Sequence, residues 1–164
     1  MQWNTSAHID TFTRNNLPAH DQLPDFLLDG LNYPPQLNAA VELTDAMVTK
    51  GFGDYTALIG NGRRRTYKEL SDWSNRLAHA LVEDYRVRPG NRVLIRSANN
   101  PAMVACWLAV TKVGGVAVNT MPQLHANELG RIVEIASIKL ALCDTRTMDE
   151  LVACSKDSRF LEAV

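Results

Sequence analysis

The run RVLIRSANNPAMVACWLAVTKVGGVAV, residues 92–118, decides the fold. It holds two short continuous apolar runs, Val93-Leu94-Ile95 and Val116-Ala117-Val118, of the kind that parallel strands covered on both faces display. Between them Asn100 stands as a helix cap with Pro101 at the first helical position, and Met103 to Val110 is apolar all round until Gly114-Gly115 closes the segment. A third run of the same type, Leu140-Ala141-Leu142, follows. The three runs begin at positions 93, 116 and 140, so each gap has room for one helix, as a parallel crossover requires. In the second gap Leu129, Ile132, Val133 and Ala136 fall on one helical stripe, opposite Glu128, Arg131 and Glu134. The expected fold is α/β, with a β-α-β-α-β core forming a small parallel sheet flanked by helices.

Toward the N-terminus, Thr66-Tyr67-Lys68-Glu69 reads as a capping box that opens a helix. Its buried stripe is expected at Leu70, Trp73, Leu77, Leu81 and Tyr85, and Pro89-Gly90 is expected to stop it. Before it, Ala57-Leu58-Ile59 and Arg63-Arg64-Arg65-Thr66 flank Gly60-Asn61-Gly62, a β-hairpin whose Asn-Gly turn needs two positive φ angles. Leu37 to Lys50 has the spacing of an amphipathic helix through Leu37, Ala40, Val41, Met47 and Val48, ended by Gly51 and Gly53. Residues 1–36 carry Pro18, Pro24, Pro34 and Pro35 without a period and read as a wandering arm, which sets the domain division at 1–36 and 37–164. After Met148 a helical pattern runs into Phe160-Leu161-Glu162-Ala163-Val164 without cap or breaker, so the chain is expected to be part of a larger domain.

Composition narrows the function. Of the 164 residues 46% are apolar, enough for a core without metal or disulfide staples. With 17 Lys+Arg against 18 Asp+Glu there is no field for a polyanion, so no nucleic-acid partner is expected. The longest largely apolar stretch, Pro101 to Val110, is too short to span a bilayer, and the first twenty residues lack the pattern of a signal peptide. Cys106, Cys143 and Cys154 are unevenly spaced with no CxxC, which reads as reduced thiols in a cytoplasmic protein.

Chemistry-bearing groups are sparse. Gly114-Gly115 follows a helix instead of preceding one, the wrong end of the dipole for a phosphate. His8, His20, His79 and His125 lack metal-ligand spacing, so no metal site is expected, and His79 reads as an exposed partner of Glu83. Arg63-Arg64-Arg65 reads as a solvated strand face. The adjacent carboxylates Glu83-Asp84 and Asp149-Glu150 diverge on their helices and read as solvated charge. Cys106, inside an apolar helix, lacks the helix N-terminus that would stabilise a thiolate, so no catalytic residue is assigned.

Several stretches, taken in order, resemble the N-terminal part of the adenylate-forming acyl- and aryl-CoA ligases. They are Thr66-Tyr67-x-Glu69-Leu70, Asn75-Arg76-Leu77-Ala78, Val87-x-Pro89-Gly90-x-Arg92-Val93, Asn99-Asn100-Pro101, Leu108-Ala109-x-x-Lys112-x-Gly114-Gly115-Val116, Met121-Pro122 and Glu128-Leu129. Within that superfamily, His8-Ile9-Asp10-Thr11-Phe12, Asn16-Leu17-Pro18, Tyr33-Pro34, Leu37-Asn38 and Ala105-Cys106-Trp107 look most like benzoate and 2-aminobenzoate CoA ligases.

The resemblance implies an enzyme that joins a carboxylic acid to ATP as an acyl adenylate, with Mg2+, and passes the acyl group to coenzyme A. It places the family's phosphate loop, ribose-binding Asp and catalytic Lys after Val164, so this chain alone is expected to be inactive. In some relatives the loop after Pro122 offers a basic residue to the coenzyme A nucleotide; here the matching position is Gln123, with His125 two residues on. Two other readings stand beside it: an aliphatic acyl-CoA synthetase of the same superfamily, and a non-catalytic scaffold or binding module. As part of a larger domain, the chain is also expected to expose apolar patches or an open sheet edge that self-association would cover.

Overall fold

The computed structural model describes residues 6–25, 30–34 and 36–164; Pro35 of the arm lies outside them. Helices α1 (Phe12–Asn15), α2 (Ala39–Leu43) and α3 (Asp45–Met47) precede a π-turn at Val48–Phe52. The hairpin β1 (Thr56–Gly60) and β2 (Arg63–Thr66) leads into α4 (Tyr67–Glu83). Then β3 (Arg92–Arg96), α5 (Pro101–Lys112), β4 (Val116–Thr120), α6 (Ala126–Ala136), β5 (Leu140–Cys143) and α7 (Met148–Asp157) alternate as the apolar runs require.

The three runs are parallel strands in the order β4-β3-β5. The chain leaves β3 for one neighbour through α5 and returns past β3 to the other through α6. This reversal creates a switch point at the carboxyl end of β3, where open α/β sheets place their ligand crevice. One face of the sheet packs Val93, Ile95 and Leu140 against Ala78, Leu81, Ala109 and Val110 of α4 and α5. The other packs Leu94 and Ala141 against Leu129 and Val133 of α6 and Leu151 and Cys154 of α7. Ala163 bridges Leu140 in parallel, so the chain after α7 runs alongside β5.

Local chemistry sets the boundaries. Thr66 accepts from the Glu69 N–H at 3.1 Å while the Glu69 carboxylate accepts from the Thr66 N–H at 2.9 Å, the expected capping box. Asn100 accepts from the Met103 N–H at 2.9 Å and starts α5. Asn61 (φ 53) and Gly62 (φ 71) make the turn of the hairpin, both positive as its Asn-Gly sequence demands.

Three expectations are corrected. The helix expected over 37–50 is broken at Thr44, whose hydroxyl bonds the Ala40 carbonyl at 2.7 Å and the Asp45 carboxylate at 2.8 Å. Of its proposed stripe only Ala40 is buried, while Leu37 and Val41 are exposed. Helix α4 ends at Glu83, and Arg86 at φ 56 turns the chain before Pro89, leaving Tyr85 half outside. Its buried face is Leu70, Ser71, Ser74, Ala78 and Leu81, because small side chains let α5 approach closely.

Residues 9–12 of the arm pack on the domain itself. The Ile9 and Asp10 N–H groups both donate to the Pro89 carbonyl at 3.0 Å. The Asp10 carboxylate takes Asn91 at 2.9 Å and pairs with Arg92, whose guanidinium lies 4.2 Å from the Phe12 ring centre. Residues 8–12, one of the five stretches that look like aryl-CoA ligases, therefore staple the amino edge of the sheet, opposite the switch point.

Candidate functional site at the carboxyl edge of the sheet

Central strand β3 ends in Arg96, and its side chain is the most consequential feature of this edge. Only 1% exposed, it donates from Nε to the Thr147 carbonyl at 2.9 Å and from Nη1 to the Met121 carbonyl at 3.1 Å. Nη2 donates to the carbonyls of Pro122 at 2.8 Å and Leu124 at 2.9 Å. The Arg96 carbonyl in turn accepts the Asp144 N–H at 2.9 Å. One residue thus fastens the loop after β4 and the loop after β5 to the central strand.

The β4–α6 loop carries both residues singled out from sequence. Gln123 is exposed, flanked by the carbonyls that Arg96 holds inward. His125, with a side chain 78% exposed, begins α6; its N–H donates to Glu128 at 2.9 Å. Glu150 reaches across from α7, accepting the Ala126 N–H at 2.8 Å and facing His125 Nδ1 at 3.3 Å. The Ala126 N–H bond and His125 hold the Glu150 carboxyl below its usual range. Glu150 is therefore a tertiary cap for α6, correcting its reading as solvated charge.

On the other side of β3, Asn100 donates to Ser97 Oγ at 3.1 Å and to Asp144 at 3.2 Å, tying the β3–α5 loop to the end of β5. Hydrogen bonds from the Arg146 side chain and backbone hold the Asp144 carboxyl down to about 2, so it is an anion throughout the neutral range. Beside it, a cavity of about 330 Å3 opens between α5 and β5, lined by Met103, Cys106, Leu142, Cys143 and Met148 among others. Burial pushes the Cys106 and Cys143 thiols up, which makes them apolar lining and not nucleophiles.

Elsewhere, His79 lies 3.8 Å from Glu83 on the exposed face of α4, as its spacing implied. Arg63 pairs with Glu69 at 2.9 Å, and Arg65 lies 4.4 Å from the Trp73 ring centre. Among the described residues, no three His, Cys, Asp or Glu side chains gather to hold a metal ion. No helix among them is long and apolar enough to cross a membrane.

Sequence reasoning placed Gln123 and His125 in one loop but missed Arg96, Asp144 and Glu150. The available signal for Arg96 was a cation closing the apolar run Val93-Leu94-Ile95, where a buried strand would otherwise continue apolar.

A family model described as AMP-binding enzyme matches residues 46–163. A 3-hydroxybenzoate–CoA ligase from Aromatoleum sp. (strain CIB) is 32% identical over 108 residues, 66% of this chain and 20% of that protein. A 3-hydroxybenzoate–CoA/4-hydroxybenzoate–CoA ligase from Thauera aromatica is 31% identical over 108 residues, again 66% of this chain and 20% of that protein. The chain thus spans a fifth of the length of these relatives. The solved structure of an anthranilate CoA ligase in complex with anthranoyl-AMP superposes with a TM-score of 0.74 at 20% identity, covering 80% of this chain and 26% of that one. At that identity the shared feature is the fold.

Proposed function

The chain belongs to the AMP-binding enzyme family, and from that premise we propose that it forms the N-terminal portion of an ATP-dependent aromatic-acid CoA ligase. In this reading residues 1–36 are an arm and residues 37–164 the first α/β portion of the large domain. The complete enzyme joins benzoate or 2-aminobenzoate to ATP, releases pyrophosphate, and transfers the acyl group from AMP to the thiol of coenzyme A. Forming the adenylate replaces a poor leaving oxygen by a phosphate whose charge can be stabilised.

The observation that carries the reading is the family match across residues 46–163, the span that holds the three parallel strands and their capped helices. The aromatic class is supported by the hydroxybenzoate ligases among its relatives, and benzoate or 2-aminobenzoate by the N-terminal resemblance. The reduced, unpaired cysteines support a cytoplasmic setting. Gln123 and His125 lie on the carboxyl-edge loop and are proposed to meet the coenzyme A nucleotide. The chain by itself is proposed to be inactive. Its exposed Leu37, Val41, Leu43, Tyr55 and Ile59, with the open edge at β4, support self-association, which sedimentation velocity reads directly.

The test is acid-dependent exchange of labelled pyrophosphate into ATP by the complete enzyme, followed by thioester formation with coenzyme A. Exchange is expected with benzoate, 2-aminobenzoate or a hydroxybenzoate. Exchange with aliphatic acids alone would overturn the aromatic assignment, and a complete protein that exchanges with neither class would overturn the ligase itself.

A further inference from the structure

We propose that Arg96 is a positioning residue for coenzyme A: it sets the β4–α6 loop, with Gln123 and His125, in the shape that receives the nucleotide end of the cofactor. The inference rests on the CoA-ligase reading above.

The interior of a central strand asks for an apolar side chain, and Val93, Leu94 and Ile95 supply one at the three positions before Arg96. Arg96 occupies an equally buried position at the cost of desolvating a guanidinium. Among the described residues no carboxylate lies within ion-pair distance of it, Glu150 feeling its charge only from farther off; its hydrogen-bond acceptors are the four carbonyls of Met121, Pro122, Leu124 and Thr147. Three of those acceptors belong to one loop and flank Gln123, so the loop's backbone is turned inward around the cation while the Gln123 side chain stays in solvent.

The arrangement depends on the planar fork of arginine, which can address four acceptors at once. Lysine, with three donors on a single nitrogen, cannot reproduce it. The loop so held runs directly into His125 and the first turn of α6, which Glu150 secures from the other side. A buried cation that places three of its four hydrogen bonds in one exposed loop at the carboxyl edge of the sheet sets the shape of that loop, as a positioning role requires.

The test uses Arg96→Lys and Arg96→Met in the complete enzyme, with the two half-reactions measured separately. Acid-dependent pyrophosphate exchange is expected to stay within about twofold of the parent, while KM for coenzyme A rises about tenfold for Arg96→Met and less for Arg96→Lys. Equal loss in both half-reactions, or an unchanged KM for coenzyme A, overturns the proposal. A parent that shows no exchange removes the ligase reading itself, a distinct outcome that takes this inference with it.

Hydrogen exchange on the 164-residue chain gives an independent readout. In both variants the Leu124 and Leu129 amides are expected to lose protection while β3 keeps it. If every substitution unfolds β3 together with the loop, Arg96 is a structural residue and the proposal fails.

Discussion

Lys112 Nζ lies 2.6 Å from Asp45 Oδ2, joining the end of α5 to the start of α3 with a lysine side chain only 7% exposed. The same ammonium donates to Asn75 Oδ1 at 2.6 Å, and Ser71 donates to Asp45 at 3.1 Å, so three helices meet in one polar knot. Burial by itself would raise the Asp45 pKa, but the bonds from Lys112, Thr44 and Asn75 together outweigh it and hold the carboxyl at about 2. A carboxyl depressed in the folded state contributes stability that is complete above its unfolded pKa and is lost as pH falls through the folded one. Between about pH 4 and pH 2 the unfolding free energy of the parent should therefore fall more steeply than that of Asp45→Asn. At pH 7 the variant should be less stable by about 2 kcal/mol, below the cost for a fully buried pair because Asp45 is partly solvated. Urea titrations across that pH range check both statements, and parallel slopes would remove Asp45 as the cause.

Gly90 controls whether the arm can dock. Its φ is +92°, and a Cβ there would lie 2.2 Å from the Asp10 carbonyl oxygen. Gly90→Ala should cost about 2 kcal/mol through the strained φ and the clash together. It should also release the arm, so that the Ile9 and Asp10 amides lose their exchange protection. Gly62 is the matched control: its φ is +71° but nothing lies within 4 Å of an added Cβ, so Gly62→Ala should cost about 1 kcal/mol and leave the arm in place. Equal effects of the two on arm protection would show that the clash is not what matters.

The capping box at the entry to α4 gives a smaller, cleaner effect. Thr66→Ala removes the acceptor for the Glu69 N–H and should destabilise the chain by about 1 kcal/mol, while Thr66→Ser should be close to neutral. The midpoint of urea unfolding reads this. A cost equally large for serine would assign the effect to the Thr66 methyl group instead of its hydroxyl.

These positions show what was legible in the sequence. The strands at 93, 116 and 140 and the caps at Thr66 and Asn100 were readable because apolar period and capping chemistry act over a few neighbouring residues. The break at Thr44 was not, because it depends on a threonine hydroxyl bonding a carbonyl four residues back and the following carboxylate instead of continuing the helix. Nor was the carboxyl edge: the partners of Arg96 are 25 to 51 positions away, and Glu150 caps a helix 24 positions before it. Only the strand order β4-β3-β5 brings those loops together, and local pattern does not encode order. Nor was the docking of the arm, since Ile9 and Asp10 meet Pro89 and Arg92 some 80 positions away.

Gln123 offers the most direct trial of the carboxyl-edge loop. Its side chain is exposed, and the imidazole nearest along the chain, His125, is turned toward Glu150 at 3.3 Å. If the nucleotide phosphates of coenzyme A pass this loop, an arginine at 123 supplies the charge-assisted hydrogen bonds that glutamine cannot. A solvent-exposed pair of this kind is worth at most about 1 kcal/mol, which corresponds to a fall in KM for coenzyme A of about threefold to fivefold. Gln123→Arg in the complete enzyme should show that fall at low salt and lose it at high salt, where the Debye length shrinks to about 3 Å near 1 M. Gln123→Ala should raise KM by only about twofold, since it removes one uncharged contact and no charge. A dephosphorylated coenzyme analogue separates the sources of the effect: the gain from arginine should shrink when the phosphate it meets is missing. An arginine variant with unchanged KM at low salt would place the coenzyme away from this loop.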